Sequence, residues 1–150
     1  MSEIHVQVTK TIARPADLVR RHFLDMEHHA RHPVHAAARF AVVEQSQTHC
    51  VYTQETRLGP FKLREDARLE RDGDEIVNRS LTGANESMIV RFSFRPVASS
   101  TTEVTADIRL PRTGFRRVAA PLLRRMLRDG FARALEEDRV DLEERGYPRG

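Results

Sequence analysis

A long stretch of alternating apolar and polar residues limits the possible folds of this chain most strongly. The alternation runs from Arg39 to Leu110, and clusters rich in glycine, proline, aspartate and serine interrupt it at short intervals. Side chains that alternate with period two are typical of half-buried strands, and strands joined by such short turns must be antiparallel. The stretch therefore predicts six antiparallel strands. The turn signals fall at Gly59-Pro60, Asp72-Gly73-Asp74, Gly83-Ala84-Asn85 and Ala98-Ser99-Ser100.

The same alternation predicts which strand residues point into the core. For one strand the alternation does not decide which face points inwards, because either Val51 and Thr53 or Cys50 and Tyr52 satisfy the pattern. The remaining inward positions are Phe40, Val42, Phe61, Leu63, Leu69, Ile76, Met88, Val90, Phe92, Phe94, Val104, Ile108 and Leu110.

The sequence patterns at the two ends of the chain differ from this long alternating stretch. Alternation from Ile4 to Ile12 predicts a further strand, and Pro15 then favours a short helix that reaches about Asp25. A second short helix follows and should end near Arg31 or His32, because Pro33 disfavours helical geometry in the residue before it. After Pro111 the apolar period becomes about 3.6, which predicts a long helix from near Phe115 or Pro121 to about Arg145. Its apolar stripe comprises Leu123, Leu127, Phe131, Ala134 and Leu142.

Length and composition narrow the class of protein. The 150 residues suit one domain, spanning residues 1–150, with room for one cavity. No apolar run approaches the roughly 20 residues of a membrane span, and nothing resembles a signal peptide, so we expect a cytoplasmic protein. Cys50 should be a buried structural thiol. Arginine is dispersed among 22 acidic residues and tryptophan is absent, so we expect no nucleic-acid partner.

One segment is locally basic. Arg116, Arg117, Arg124, Arg125 and Arg128 flank the early turns of the predicted C-terminal helix. We expect a solvated face or salt bridges to the sheet, and docking on an anionic membrane is the less favoured alternative.

The order of elements is strand, two short helices, six strands and a long helix. This order, together with the strand-to-helix entry KTIARPADLV, resembles the helix-grip superfamily of START-like, Bet v 1-like and polyketide cyclase-like domains, also called SRPBCC. The resemblance covers essentially the whole chain. It implies an α+β fold in which a seven-stranded curved antiparallel sheet wraps around the C-terminal helix. It also implies an apolar cavity that holds a lipid-like, aromatic or polycyclic small molecule.

Four histidines fall within eight residues, at His28, His29, His32 and His35. Residues at i and i+4 on a helix can hold one metal ion, which favours His28 with His32, whereas His29 is turned about 100° away. Asp138 lies at the centre of the apolar stripe of the predicted C-terminal helix, where burying an unpartnered carboxylate costs free energy. Asp141 lies at the edge of the stripe and Glu137 is off it. Alternatively, the histidines lie on a solvated loop and Asp138 is in water or paired with Arg145.

Two histidines and one aspartate would form a site suited to mononuclear Fe(II), and zinc is the other candidate. Here LDMEHHARHPVH and EEDRVDLEE resemble the ligand segments of the catalytic domain of Rieske-type oxygenases. The resemblance implies that Asp25 is the aspartate behind the ligands, that His28 and Asp138 are ligands, and that His32 or His35 is the second histidine.

The chain lacks the cysteine-histidine pairs of a Rieske cluster, so an oxygenase would need a separate electron donor. A Lewis-acid hydrolase or lyase, or a metal-free carrier, are alternatives. We expect no nucleotide, heme or iron-sulfur cluster, and a homodimer is compatible with the sequence.

A metal-free cyclase is a further alternative. Glu55, Arg57 and Glu65 lie on strands where alternation can turn them inwards, and buried acids and bases serve enolisation and protonation. Charged residues on strands more commonly face the solvent.

Overall fold

The computed structural model describes residues 3–58 and 60–149, which form seven strands and four helices. The strands are β1 (Glu3–Ile12), β2 (Ala38–Gln45), β3 (His49–Leu58), β4 (Phe61–Asp72), β5 (Glu75–Ser80), β6 (Ile89–Ala98) and β7 (Thr101–Pro111). The helices are α1 (Ala16–Leu24), α2 (Met26–Arg31), α3 (Phe115–Val118) and α4 (Ala120–Glu143).

All seven strands belong to one antiparallel sheet in the order β1-β7-β6-β5-β4-β3-β2. Neighbouring strands from β2 to β7 are joined by short connections, whereas β1 pairs with β7 from the far end of the sequence, with Ile4 opposite Leu110. The predicted α+β fold, with its seven-stranded sheet and two short helices after the first strand, is confirmed.

The side chains that the alternation assigned to the core mostly lie there. On β3 the inward pair is Cys50 and Tyr52, both buried, which settles the alternative that the sequence left open. Phe61 and Leu63 differ from the expectation, because they share the face of buried Leu69 but are exposed. The face of the sheet that carries Leu69, Cys50 and Tyr52 is called the concave face below.

The C-terminal helical segment has two parts. The short helix α3 ends at Val118, and α4 begins at Ala120 with Pro121 in its first turn, where a missing N–H costs no hydrogen bond. On α4, Leu135 and Leu142 are fully buried, whereas Leu123, Leu127 and Phe131 pack against the core while staying partly exposed. The C-terminal half of α4 is therefore tightly packed and its N-terminal half more open. None of the described helices is long and apolar enough to cross a bilayer.

Replacing Leu135 with alanine should lower the free energy of unfolding by about 2–5 kcal/mol, because the removed atoms leave a cavity in a closed core. The same substitution at Leu122, which is exposed on the same helix, should change it by less than about 0.5 kcal/mol. Chemical denaturation of both variants measures the difference. Equal losses would contradict this packing of α4.

Candidate metal centre

Two buried aspartates on α4 face histidines from the beginning of the chain. Asp138 and Asp141 are 5% and 0% exposed, and their spacing of three residues places them on one side of the helix. His22 lies on the buried side of α1, and His28 and His29 are buried on α2. These helices therefore bring imidazoles from two successive elements onto the same turn of α4.

Asp141 binds its partners through hydrogen bonds. The Nε2 atoms of His22 and His28 lie 2.8 and 2.7 Å from the same carboxylate oxygen, and Arg149 lies 2.6 Å from the other. Burial raises the pKa of a carboxylate, but the bonds from His22, Arg149 and His28 outweigh it and lower the pKa of Asp141 far below its ordinary value. Asp141 is thus an ionised acceptor, and both histidines donate from Nε2.

The protonation of His22 follows from this bond. Burial, which outweighs the attraction of the neighbouring carboxylates, lowers the pKa of His22, so that the ring is neutral and carries one proton. Because Asp141 holds that proton on Nε2, the Nδ1 atom of His22 presents a lone pair. This buried nitrogen has no hydrogen-bond partner among the described residues.

Three imidazole nitrogens converge on one oxygen of Asp138. His22 Nδ1 lies 3.8 Å from Oδ1, His29 Nε2 lies 3.5 Å from it, and His35 Nε2 lies 3.2 Å from it. Ligand atoms that bind one zinc ion tetrahedrally at 2.0–2.1 Å are about 3.3 Å apart. The distances from His29 and His35 are close to this spacing, and the distance from His22 is longer.

The outward nitrogen of each converging ring is held by an oxygen. His22 Nε2 donates to Asp141, His29 Nδ1 lies 2.8 Å from the carbonyl oxygen of Asp25, and His35 Nδ1 lies 3.1 Å from Glu137. Such outer acceptors fix the tautomer and the orientation of metal-binding histidines.

His35 differs from the other two in charge. Burial disfavours its protonated form, but the attraction of Asp138 and hydrogen bonds to Asp138 and Glu137 outweigh burial and raise the pKa of His35 to about 10. Burial likewise raises the pKa of Asp138, and His35 and His29 more than compensate and lower it well below its ordinary value. In the absence of a metal ion, His35 is the cation that balances Asp138.

The structure contains two groups of three potential ligands, and their distances distinguish them. Atoms of His22, His29 and Asp138 lie within 4.8 Å of one another, as do those of His22, His28 and Asp141. In the second group the nitrogens already lie at hydrogen-bond distance from Asp141. In the first, the lone pair of His22 faces a carboxylate oxygen at 3.8 Å with no proton to share. The first group is therefore the one suited to a cation.

The arrangement differs from the ligand set proposed from the sequence. His28 pairs with Asp141 rather than with Asp138. His32 follows the last residue of α2 and has extended backbone angles. Its backbone N–H donates to the carbonyl of His28 and the two rings lie 4.7 Å apart, but no hydrogen bond or ion pair joins His32 to Asp138 in the described chain. His35 does approach Asp138, and Asp138 is buried among imidazoles rather than paired with Arg145, which donates to the carbonyl of Pro33.

Asp25 lies directly behind the histidines. Its side chain accepts the backbone N–H of His28 and so caps α2, and its other oxygen accepts the hydroxyl of Tyr147 at 2.6 Å. Its carbonyl group accepts His29. Asp25 therefore orients the α2 histidines without reaching Asp138 itself.

Sequence reasoning missed three members of this cluster, His22, His29 and Asp141. A signal existed for His22, because it falls at helical spacing among Leu18, Val19 and Phe23, where a buried imidazole needs a partner. The helical pattern excluded His29 because it is turned away from His28. In the structure this rotation directs His28 to Asp141 and His29 to Asp138.

The proposed cyclase residues divide between the two faces of the sheet. Glu55 lies opposite Arg39 and Arg64 on the outer face and helps to line an open groove of about 300 Å³. Arg57 is exposed, and its position on β3 places it on that outer face as well. Glu65 shares the face of buried Ala67, and burial raises the pKa of Glu65.

Two further polar side chains lie on the concave face. The amide of Asn78 donates to the hydroxyl of buried Tyr52 at 2.8 Å, while the buried Oδ1 of Asn78 has no partner among the described residues. The phenyl ring of Phe40 lies between this region and the histidines, with its centroid 5.9 Å from Tyr52 and 6.0 Å from both His29 and His35.

Comparison with solved structures reveals many similar folds. The Zhui aromatase/cyclase from Streptomyces sp. R1128 superposes with a TM-score of 0.76 at 19% sequence identity, covering 96% of this chain and 98% of that one. A protein from Thermus thermophilus gives a TM-score of 0.77 at 17% identity, covering 90% and 94%. A START superfamily protein from Mycobacterium smegmatis gives 0.76 at 12% identity, covering 93% and 97%. No protein-family model and no curated protein sequence matches the chain.

Replacing Asp141 with asparagine should lower the free energy of unfolding by about 2–4 kcal/mol, because an ionised acceptor for two imidazoles and Arg149 is lost from a buried position. Asp129→Asn is the matched control on the same helix, since Asp129 is exposed and lies 3.9 Å from Arg125. Its effect should stay below about 0.5 kcal/mol in chemical denaturation. Equal effects would contradict the assigned role of Asp141.

Proposed function

Because the chain has the helix-grip fold of START-like and polyketide cyclase-like proteins, we propose that it binds an apolar small molecule between the sheet and α4 and transforms it at a metal centre. His22, His29 and Asp138 would hold the ion. His35, 3.2 Å from Asp138, would neutralise this carboxylate when the ion is absent.

One observation carries the proposal: the buried Nδ1 of His22 faces Asp138 Oδ1 at 3.8 Å without a hydrogen-bond partner in the described chain. Two acceptors that face each other in a buried position repel, and a cation between them removes the repulsion. Hydrogen bonding alone leaves this nitrogen unsatisfied, whereas a metal ion uses it.

A bound metal ion at this position would polarise a ligand oxygen or activate water. The protein would orient the side chains that bind the ion. Asp141 and the Asp25 carbonyl hold the rings of His22 and His29, and three protein ligands would leave a coordination position open for substrate.

The ligand-binding surface supports an apolar substrate. Leu123, Leu127 and Phe131 of α4 pack against the core but stay partly exposed, and Phe40 and Phe92 on the sheet do the same. Phe40 also contacts the rings of His29 and His35, so the apolar surface reaches the metal centre. Tyr52 and Asn78 offer polar contacts farther along, and a ligand of two or three rings with one oxygen substituent suits this surface.

Elemental analysis of the protein purified without a histidine tag tests the proposal. We expect about one zinc or iron atom per chain, lost on replacing His29 or Asp138 with alanine, because each substitution removes one of three ligands. His32→Ala is the matched control, since His32 lies on the same segment but does not approach Asp138, and it should keep the metal.

Metal loss in the His32 variant equal to that in the His29 variant would contradict the assigned ligand set. A wild-type protein that stays metal-free after incubation with excess Zn²⁺ and anaerobic Fe²⁺ would reject the metal centre altogether. Circular dichroism of each variant separates a lost ligand from a lost fold.

A metal-free cyclase is the second candidate, and Glu65 favours it. This carboxyl lies on the concave face near Tyr52, and burial raises its pKa, as suits a general acid or base. Glu65→Gln should then reduce turnover of an aromatic polyketide substrate by about 10²-fold or more, whereas Glu55→Gln on the outer face should change it little. Turnover that depends on Asp138 and survives Glu65→Gln would instead favour the metal-dependent enzyme.

A further inference from the structure

The segment that joins the sheet to α4 exposes large apolar side chains. Phe115 and Val118 on α3 are 77% and 84% exposed, and Leu122 and Met126 on α4 are 60% and 47% exposed. They follow one another at intervals of three or four residues, so each helical turn contributes one. These four residues are called the exposed apolar row below.

Exposed apolar side chains concentrated in this way mark an interaction surface, because each costs free energy in water. The inner side of α4 does not explain them, since Leu123 and Leu127 already occupy it. The helix is thus apolar on two sides, and only one of them has a partner within the described chain.

The charges around the exposed apolar row are mostly positive, and Asp129, which lies 3.9 Å from Arg125, is the acidic residue at its C-terminal end. Residues 113–128 contain five arginines and no aspartate or glutamate, although the whole chain carries a formal net charge of only +3. Arg117 and Arg128 are exposed, so their guanidinium groups can reach past the apolar side chains, while Arg125 is also exposed and lies 3.9 Å from Asp129. Arg116 is used locally, since it donates to the carbonyl groups of Ala84 and Glu86 and fastens α3 to the β5–β6 connection.

That connection extends the apolar surface to the rim of the concave face. It contains exposed Leu81, whose backbone N–H donates to Asp66 on β4. Exposed Phe61 and Leu63 lie on the same strand, on the concave face. Through Arg116 and this connection, the exposed apolar row is therefore linked to the exposed apolar side chains at the start of β4.

We infer that this protein docks reversibly on an anionic lipid surface through the exposed apolar row and the arginines around it. A helical segment with exposed apolar side chains and flanking arginines is the arrangement that binds the interface of a bilayer. Charge complementarity selects the anionic lipid, and the apolar side chains enter its acyl boundary. Docking there places the open end of the ligand space against the membrane, from which an apolar molecule can enter. The inference goes beyond the proposed chemistry and does not depend on the metal.

Flotation with lipid vesicles tests this inference on the full chain. We expect the wild-type protein to bind vesicles of phosphatidylcholine with about 30% phosphatidylserine at least about tenfold more tightly than vesicles of phosphatidylcholine alone. Raising the salt from about 0.05 to about 0.5 M should weaken binding, because the Debye length shortens.

Matched substitutions separate the exposed apolar row from general surface effects. Val118→Asp should weaken binding at least about tenfold, since it places a carboxylate at the lipid boundary. Val97→Asp makes the same change at an exposed valine near the end of β6. This position lies beside the start of β7, whereas α3 follows the end of β7, so the Val97→Asp variant should bind vesicles as the wild type does. Arg125→Glu with Arg128→Glu should weaken binding to anionic vesicles by a similar factor.

Two results would overturn the inference. One is a wild-type protein that does not bind anionic vesicles at low salt. This result includes the case in which the exposed apolar row instead forms a dimer interface, so that Val118→Asp dissociates a dimer in analytical sedimentation. The other is equal weakening by Val97→Asp and Val118→Asp. Both valines are exposed, so the variants should keep the wild-type melting temperature, and an unchanged metal content in Val118→Asp separates this test from that of the metal centre.

Discussion

The burial of two carboxylates on α4 governs how the helices of this protein are assembled. Removing Asp138 and Asp141 from water is costly unless each finds partners that offset the lost hydration. Those partners come from α1 and α2, more than a hundred residues earlier in the chain. The closure of the fold, with β1 beside β7 and α4 packed over β1, brings the two ends together.

The two carboxylates solve this problem in different ways. Asp141 receives hydrogen bonds from His22, His28 and Arg149 and is satisfied by the protein alone. Asp138 lies among nitrogens at longer distances, and one of them has no proton to donate. Because both aspartates contact His22, the proton that His22 donates to Asp141 leaves its Nδ1 lone pair facing Asp138. Asp141 thus determines the chemistry available at Asp138.

The two halves of α4 differ in packing and in charge. Its C-terminal half carries the buried acids and fully buried Leu135 and Leu142, which hold the rings rigidly. Its N-terminal half is apolar on the inner side, basic around the outer side, and less tightly packed. Under the proposed function, the closely packed half would fix the candidate ligands while the more open half admits a ligand.

The order of strands and helices could be predicted from the sequence, whereas the pairing of imidazoles with carboxylates could not. A period of two or of 3.6 residues follows from local backbone geometry and the burial of one face, and an acid such as Asp138 in an apolar helical stripe is visible without coordinates. Periodicity relates residues within one element only. His22 and His28 meet Asp141, and His29 and His35 meet Asp138, because packing and the cap that Asp25 forms on α2 set the rotation of these segments against α4. One residue along a helix turns a side chain by about 100°, so neighbouring histidines reach different acids.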